Sequence, residues 1–249
     1  MKLESPTAKP FSFYEFSQIF ADVGNRGRKQ DQPASQSQSE SECSVPTASD
    51  RPQGRPRQFD ADAVLEAALQ YFWHNGIRTT TRQLEQAVGV SQSSIYNAFG
   101  SKSDLLDRVL GVYAVRVEQQ VIDPLNRADC GLDGINRFFA DHYRWATQHG
   151  QNGCLLINLM AEDGGLDPMI ARHAQRYRNR IRTALRDALE RAARAGETFA
   201  CDIDSRTELL MCLVLGFNIS ARAGASRTTM NRMLQSVQDQ TRGWRLNRS

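Results

Sequence analysis

The chain has 249 residues, 40% of them hydrophobic and 24% charged, with a formal net charge of +3. That leaves room for one or two domains with a real core. No run of about 18 apolar residues offers a membrane span, and the N-terminus lacks the charged start, apolar stretch and small-residue cleavage site of a signal peptide; the expected location is the cytoplasm, with no membrane partner.

Five cysteines, Cys43, Cys130, Cys154, Cys201 and Cys212, are odd in number, widely spaced and without a Cys-x-x-Cys pair. The pattern argues against a disulfide framework and a structural zinc site and reads as reduced thiols. Residues 124 to 249 carry 18 basic and 13 acidic residues. The positive excess is therefore C-terminal and is no footprint of nucleic acid, for which the local placement of a few cations matters.

Residues 21 to 53, with "QPASQSQSESECS" at their centre, hold too little apolar surface to offset the entropy of ordering. Residues 1 to 53 are read as a disordered N-terminal extension. Ahead of that stretch, "FSFYEFSQIF" packs five aromatics into ten residues. It is either a segment that folds on a partner, or a tail without function or an overextended start.

From Asp60 onward the period is helical and no long alternation of apolar and polar residues occurs, so the fold class is all-α. Asp60 caps a first helix with Val64, Leu65, Ala68, Leu69, Phe72 and Trp73 on one broad face, ending at Asn75-Gly76. Thr80 with Gln83 forms a capping box for a short second helix that ends at Gly89. Ser91 caps a third. Ser101 and Asp104 box the start of a longer fourth with Leu105, Leu106, Val109, Leu110 and Tyr113. Further helices are expected at about 133 to 149, 154 to 163, 168 to 195, 205 to 223 and 226 to 242. The long one has a stripe of Ile170, Ala174, Tyr177, Ile181, Leu185, Ala188 and Ala192; "LLMCLVLGFNI" is apolar all round and is expected to be buried on every side; the last repeats the period with Met230, Met233, Leu234 and Val237.

A helix, a Gly-containing turn and a short polar helix make the helix-turn-helix layout, whose second helix enters the major groove. Inward residues are expected at Leu84, Val88, Val90, Ile95 and Ala98. The absence of charge on "SQSSIYNAF" is no objection, since Gln, Asn and Ser can read base edges. The stretches "GRPR", "FDADAVLEAALQYFWHNGIRTTT", "LEQAVGVSQSSIYNAFGSK" and "LLDRVLGVY" resemble the DNA-binding domain of the TetR family of bacterial regulators. Glu85, where many relatives have Ala, departs from the pattern and must lean outward.

The resemblance implies a three-helix DNA-binding domain over 54 to 117 and a helical ligand-binding and dimerisation domain over 118 to 245. It implies that Ser91, Gln92, Ser93 and Ser94 present the helix to bases, that Tyr96 and Lys102 meet phosphates, and that Thr80 and Thr81 offer a helix N-terminus to a phosphate. Arg82 and Asn97 would serve either kind of contact. Arg55 and Arg57, on an arm, would reach the minor groove or its phosphates.

The expected function is a ligand-released repressor that acts as a homodimer on an inverted-repeat operator in double-stranded DNA, its reading helices set about 34 to 36 Å apart. The effector is a small molecule of unknown identity, for which Phe138, His142, Cys154, Asn158 and Tyr177 are candidate contacts. "NGCLLINLMAED" also resembles a Gly-Cys-Leu subgroup in which some cysteines sense electrophiles or oxidants; Cys154, at a helix N-terminus where a thiolate is stabilised, would then be the switch. The bland alternative is a small packing residue. His142 and His149 lie seven apart without a His-Glu-x-x-His, so no metal is expected, and neither is a cofactor. The arginine rows 172, 176, 180 and 178, 182, 186 read as a solvated face, with a second DNA surface as the other reading. A helical ligand-binding protein that never touches DNA is the alternative of another class; an enzyme has no nucleophile with a paired base, phosphate loop or metal spacing to support it.

Overall fold

A computed structural model of the chain describes residues 60–127, 129, 131–148 and 153–246. The expectations for the N-terminal extension, Arg55, Arg57, Cys43, Cys130 and His149 lie outside the described residues. Every regular element among the described residues is helical, and none is long and apolar enough to cross a membrane.

The first four helices start and stop where short-range chemistry dictates. In α1 (Ala61–Asn75), Asp60 Oδ1 accepts from the amides of Asp62 and Ala63 at 3.1 Å each. These are two of the donors that a helix start leaves unpaired. Gly76 ends α1 at φ +75°, a conformation that costs glycine little. The reciprocal Thr80–Gln83 box opens α2 (Thr81–Val88), Ser91 caps α3 (Gln92–Phe99), and the Ser101–Asp104 box opens α4 (Lys102–Val117). Val64, Ala68, Leu69, Phe72 and Trp73 of α1 are buried with Leu84, Ile95, Phe99, Leu105, Leu106 and Val109 in one core. Each large apolar side chain so buried contributes about 1.5–3 kcal/mol.

The expected division at 117/118 falls inside continuous helical chain. Past Val117 the α-helix gives way to a wider π-helical turn (Glu118–Ile122) and then a tighter 3-10 turn (Asp123–Asn126), which the apolar period gave no reason to expect. Behind them come α5 (Leu132–Gln148), α6 (Leu155–Asp163), α7 (Pro168–Arg194), α8 (Ile203–Arg222) and α9 (Arg227–Gly243). Helix α5 packs on α7, α8 and α9, while α6 lies against α4, α7 and α8. The stripe expected on α7 is buried from Ile170 to Ala192.

Within a single chain α8 is not covered on every side. Helix α8 buries Leu210, Met211, Val214 and Phe217, yet Leu209 is 41% and Ile219 45% exposed, and Cys212 between them is exposed too. The neighbours α5, α6, α7 and α9 pack on α8 and leave a stripe along it bare.

Candidate nucleic-acid interface

Helix α3 is held from behind and polar in front. Ile95 and Phe99 are buried, Val88 and Val90 half-buried, and Arg108 lies over the Phe99 ring at 5.5 Å. Gln92, Ser93 and Asn97 are exposed on the opposite side. Ala98 is exposed as well, against expectation: Phe99, four residues on from Ile95, continues the inward face. Ser94 is half-buried, and its hydroxyl lies 2.9 Å from that of Ser91, which also lies 3.1 Å from Ser93. The three serines form a local cap network in which Ser91 and Ser93 are exposed, and Gln92 and Asn97 are exposed beside it. Glu85 leans to the half-exposed position its size requires.

Tyr96 ties the two short helices together. Its hydroxyl is 3.0 Å from Thr81 Oγ1, at the first turn of α2. This puts a phenol beside the exposed helix start at Thr80, with Arg82 also exposed on the same turn. Lys102, expected on a phosphate, has its ammonium turned to the chain instead: Nζ donates to Ile77 O at 2.7 Å and to Thr79 O. Two carbonyls of the loop before α2 outcompete solvent there, and partial burial lowers the Lys102 pKa despite the nearby Glu162 carboxylate. Lys102 therefore braces the loop from which Thr80 launches α2.

The five candidate effector contacts are all buried, and the structure joins them through residues that the sequence did not single out. His142 stacks on Phe138 with ring centroids 5.6 Å apart, and its Nε2 accepts from Asn218 Nδ2 at 2.6 Å. Asn218 also donates to Val214 O, and among the described residues neither His142 Nδ1 nor Asn218 Oδ1 has a partner. Complete burial lowers the His142 pKa to about 4, so the ring is neutral at pH 7. Gly153, at φ +67°, lies close to the Asn218 main chain and to Asn158: a Cβ there would lie 2.6 Å from Asn218 O and 3.2 Å from Asn158 Oδ1. An asparagine inside "LLMCLVLGFNI" was the signal that could have marked Asn218.

Cys154 caps α6 by position only, with no side-chain cap bond. Burial pushes its thiol pKa up, outweighing the hydroxyls of Tyr113 and Tyr177 and the helix amides that favour the thiolate. Of the two readings of Cys154, burial thus favours the small packing residue over the activated thiolate. Tyr113 accepts from Trp145 Nε1 at 2.9 Å and from the Leu155 amide at 3.1 Å. Four of the six arginines in the α7 rows are engaged in ion pairs: Arg172 with Asp107, Arg180 with Glu118, Arg182 with Glu208 and Arg186 with Glu190. That agrees with a solvated face.

Residues 64–109 match the family model described as bacterial regulatory proteins, tetR family, and residues 131–237 match the tetracyclin repressor-like C-terminal domain. The chain is 29% identical over 206 residues to the HTH-type transcriptional repressor ComR of Escherichia coli K12, covering 77% of this chain and 91% of that one. A TetR family regulator from Cytophaga hutchinsonii shares the fold with a TM-score of 0.64 at 16% identity, over 75% of this chain and 95% of that one. A cysteine mutant of the TetR family regulator CifR, in complex with 26-base-pair operator DNA, does so with a TM-score of 0.62 at 23% identity, over 77% and 100%. One family thus accounts for both the reading head and the helices behind it, and the chain belongs to the tetR family of bacterial regulatory proteins, DNA-binding regulators of transcription.

Proposed function

We propose that the protein is a homodimeric repressor that holds an inverted-repeat operator and leaves it when a small molecule enters the C-terminal helices. The observation that carries this reading is α3 itself, an uncharged polar surface of Gln92, Ser93 and Asn97 over an anchored apolar back. Gln and Asn make bidentate contacts to base edges, so these side chains would specify sequence. Tyr96, Thr80, Thr81 and Arg82 would bind the flanking phosphates and set register, with Arg55 and Arg57 reaching the neighbouring groove. Ser91 and Ser94 would hold the start of α3, and Lys102 would support it from within.

The bare face of α8 supports dimerisation. Leu209, Cys212, Gly216, Ile219 and Ala223 recur at alternating intervals of three and four, the period of a helix seam, and α9 lies alongside. For the effector, the buried His142–Asn218 pair beside Phe138, with Asn158, Cys154 and Tyr177 on neighbouring helices, supports a small uncharged ligand that exchanges hydrogen bonds with neutral groups. Release then requires the ligand to favour one head separation by about 1–3 kcal/mol. The version in which Cys154 is a redox or electrophile switch has less support, because its thiol is buried and its pKa raised.

Selection of genomic fragments by the purified full chain tests the reading. Enrichment of an inverted repeat is the expected result. No enrichment even at low salt, where phosphate contacts are strongest, would sink it.

A further inference from the structure

The exit of α1 is gripped by groups from the helices behind the head. Trp73 donates its indole N–H to Gly153 O at 3.1 Å. Arg222 Nη1 donates to the carbonyls of Trp73 at 3.1 Å and His74 at 3.4 Å, where the end of a helix leaves acceptors unpaired and favours a cation. Glu162 Oε1 accepts from the Ile77 amide at 3.2 Å. Its carboxylate lies so close over Gly76 that a Cβ there would come within 2.2 Å of it. From the head side Lys102 Nζ holds the carbonyl of the same Ile77 at 2.7 Å.

These contacts fix the end of α1, through Gly153 and Arg222, and the loop from Gly76 to Thr80, through Glu162 and Lys102, and with them the direction in which α2 and α3 leave α1. Glu162 is half-buried and Arg222 exposed, so neither belongs to the apolar core. Their neighbours on the same helices are telling. Asn158 and Glu162 are four apart on α6, and Asn218 and Arg222 are four apart on α8, which is one turn and about 6 Å in each case. One end of each pair meets the buried polar cluster around Gly153 and His142, and the other meets α1 or the loop that follows it.

We infer that Glu162 and Arg222 are positioning residues that set the angle of the DNA-reading head, each one helical turn from an asparagine of the buried polar cluster. A molecule that displaced Asn158 or Asn218 would move the matching grip with it. Helix α6 is held at both ends, through Gly153 to Trp73 and through Glu162 to Ile77, so its shift would act on the end of α1 and on the loop together.

This inference rests on the dimeric operator reading, and two measurements on the full chain test it. Amide exchange needs no DNA: in Glu162→Gln and Arg222→Gln the amides of Gly76 to Thr81 are expected to exchange about tenfold faster while those of α4 stay protected, the mark of local opening. Operator binding is read on the selected inverted repeat and on versions with one base pair added or removed between half-sites. The wild type is expected to discriminate among the spacings by about tenfold or more, and both variants by about threefold or less, with non-specific binding unchanged and Arg222→Lys closer to wild type. Wild-type exchange in the loop, or wild-type spacing discrimination in both glutamine variants, overturns the inference. A wild type that selects no inverted repeat overturns the operator reading instead, and the exchange result still decides whether the grip exists.

Discussion

Tyr96 serves both sides of the reading head, because the hydroxyl that touches Thr81 lies beside the exposed start of α2. Tyr96→Phe is expected to weaken operator binding about tenfold, the worth of one hydrogen bond to a charged group, in a gel-shift titration. His142 is a different case. Its ordinary pKa of 6.5 falls to about 4 in the folded chain, so between those values the unfolded chain binds the additional proton. Folding stability must therefore fall as pH drops from about 6.5 to about 4, by about 3 kcal/mol in all, and denaturant titrations should show this slope diminished in His142→Leu. A slope common to both proteins would place the burden on the carboxylates. For Cys154, maleimide should leave the native thiol unmodified in a chain whose other four cysteines, Cys43, Cys130, Cys201 and Cys212, are replaced by Ser, and label it on unfolding; rapid native labelling would restore the thiol-switch reading.

Helices α2 and α3 are short, and their junction depends on Gly89, which ends α2 at φ +72° with open space around its α-carbon. Gly89→Ala meets no neighbour, so its cost is the left-handed backbone alone, about 1 kcal/mol, measurable as a lowered melting temperature. A neutral result would mean that the turn relaxes. At this scale the sequence was most legible, because caps are local: Asp60, Thr80 with Gln83, Ser91, and Ser101 with Asp104 each act within three residues. What escaped it depends on distant chain. His142 and Asn218 meet across 76 positions, and Lys102 finds its carbonyls 23 and 25 residues upstream. At Cys154 the sequence left two readings open, because a helix start favours a thiolate locally while burial, decided by α4 and α7, opposes it more strongly.

For the molecule as a whole, the bare face of α8 and the outward face of α3 have to act together if two heads are to span one operator. Replacing Leu209 and Ile219 together by Glu is expected to give a monomer by light scattering and to weaken operator binding by about a hundredfold or more, since one head then binds without the other. A variant that stays dimeric would move the interface elsewhere. The most direct measurement is selection from a randomised DNA library by the wild type and by Gln92→Ala. The wild type is expected to enrich an inverted repeat, and Gln92→Ala to lose preference at one symmetric pair of positions, by about 1–3 kcal/mol, while non-specific binding persists. An unchanged consensus in Gln92→Ala and again in Asn97→Ala would contradict the claim that α3 reads the operator.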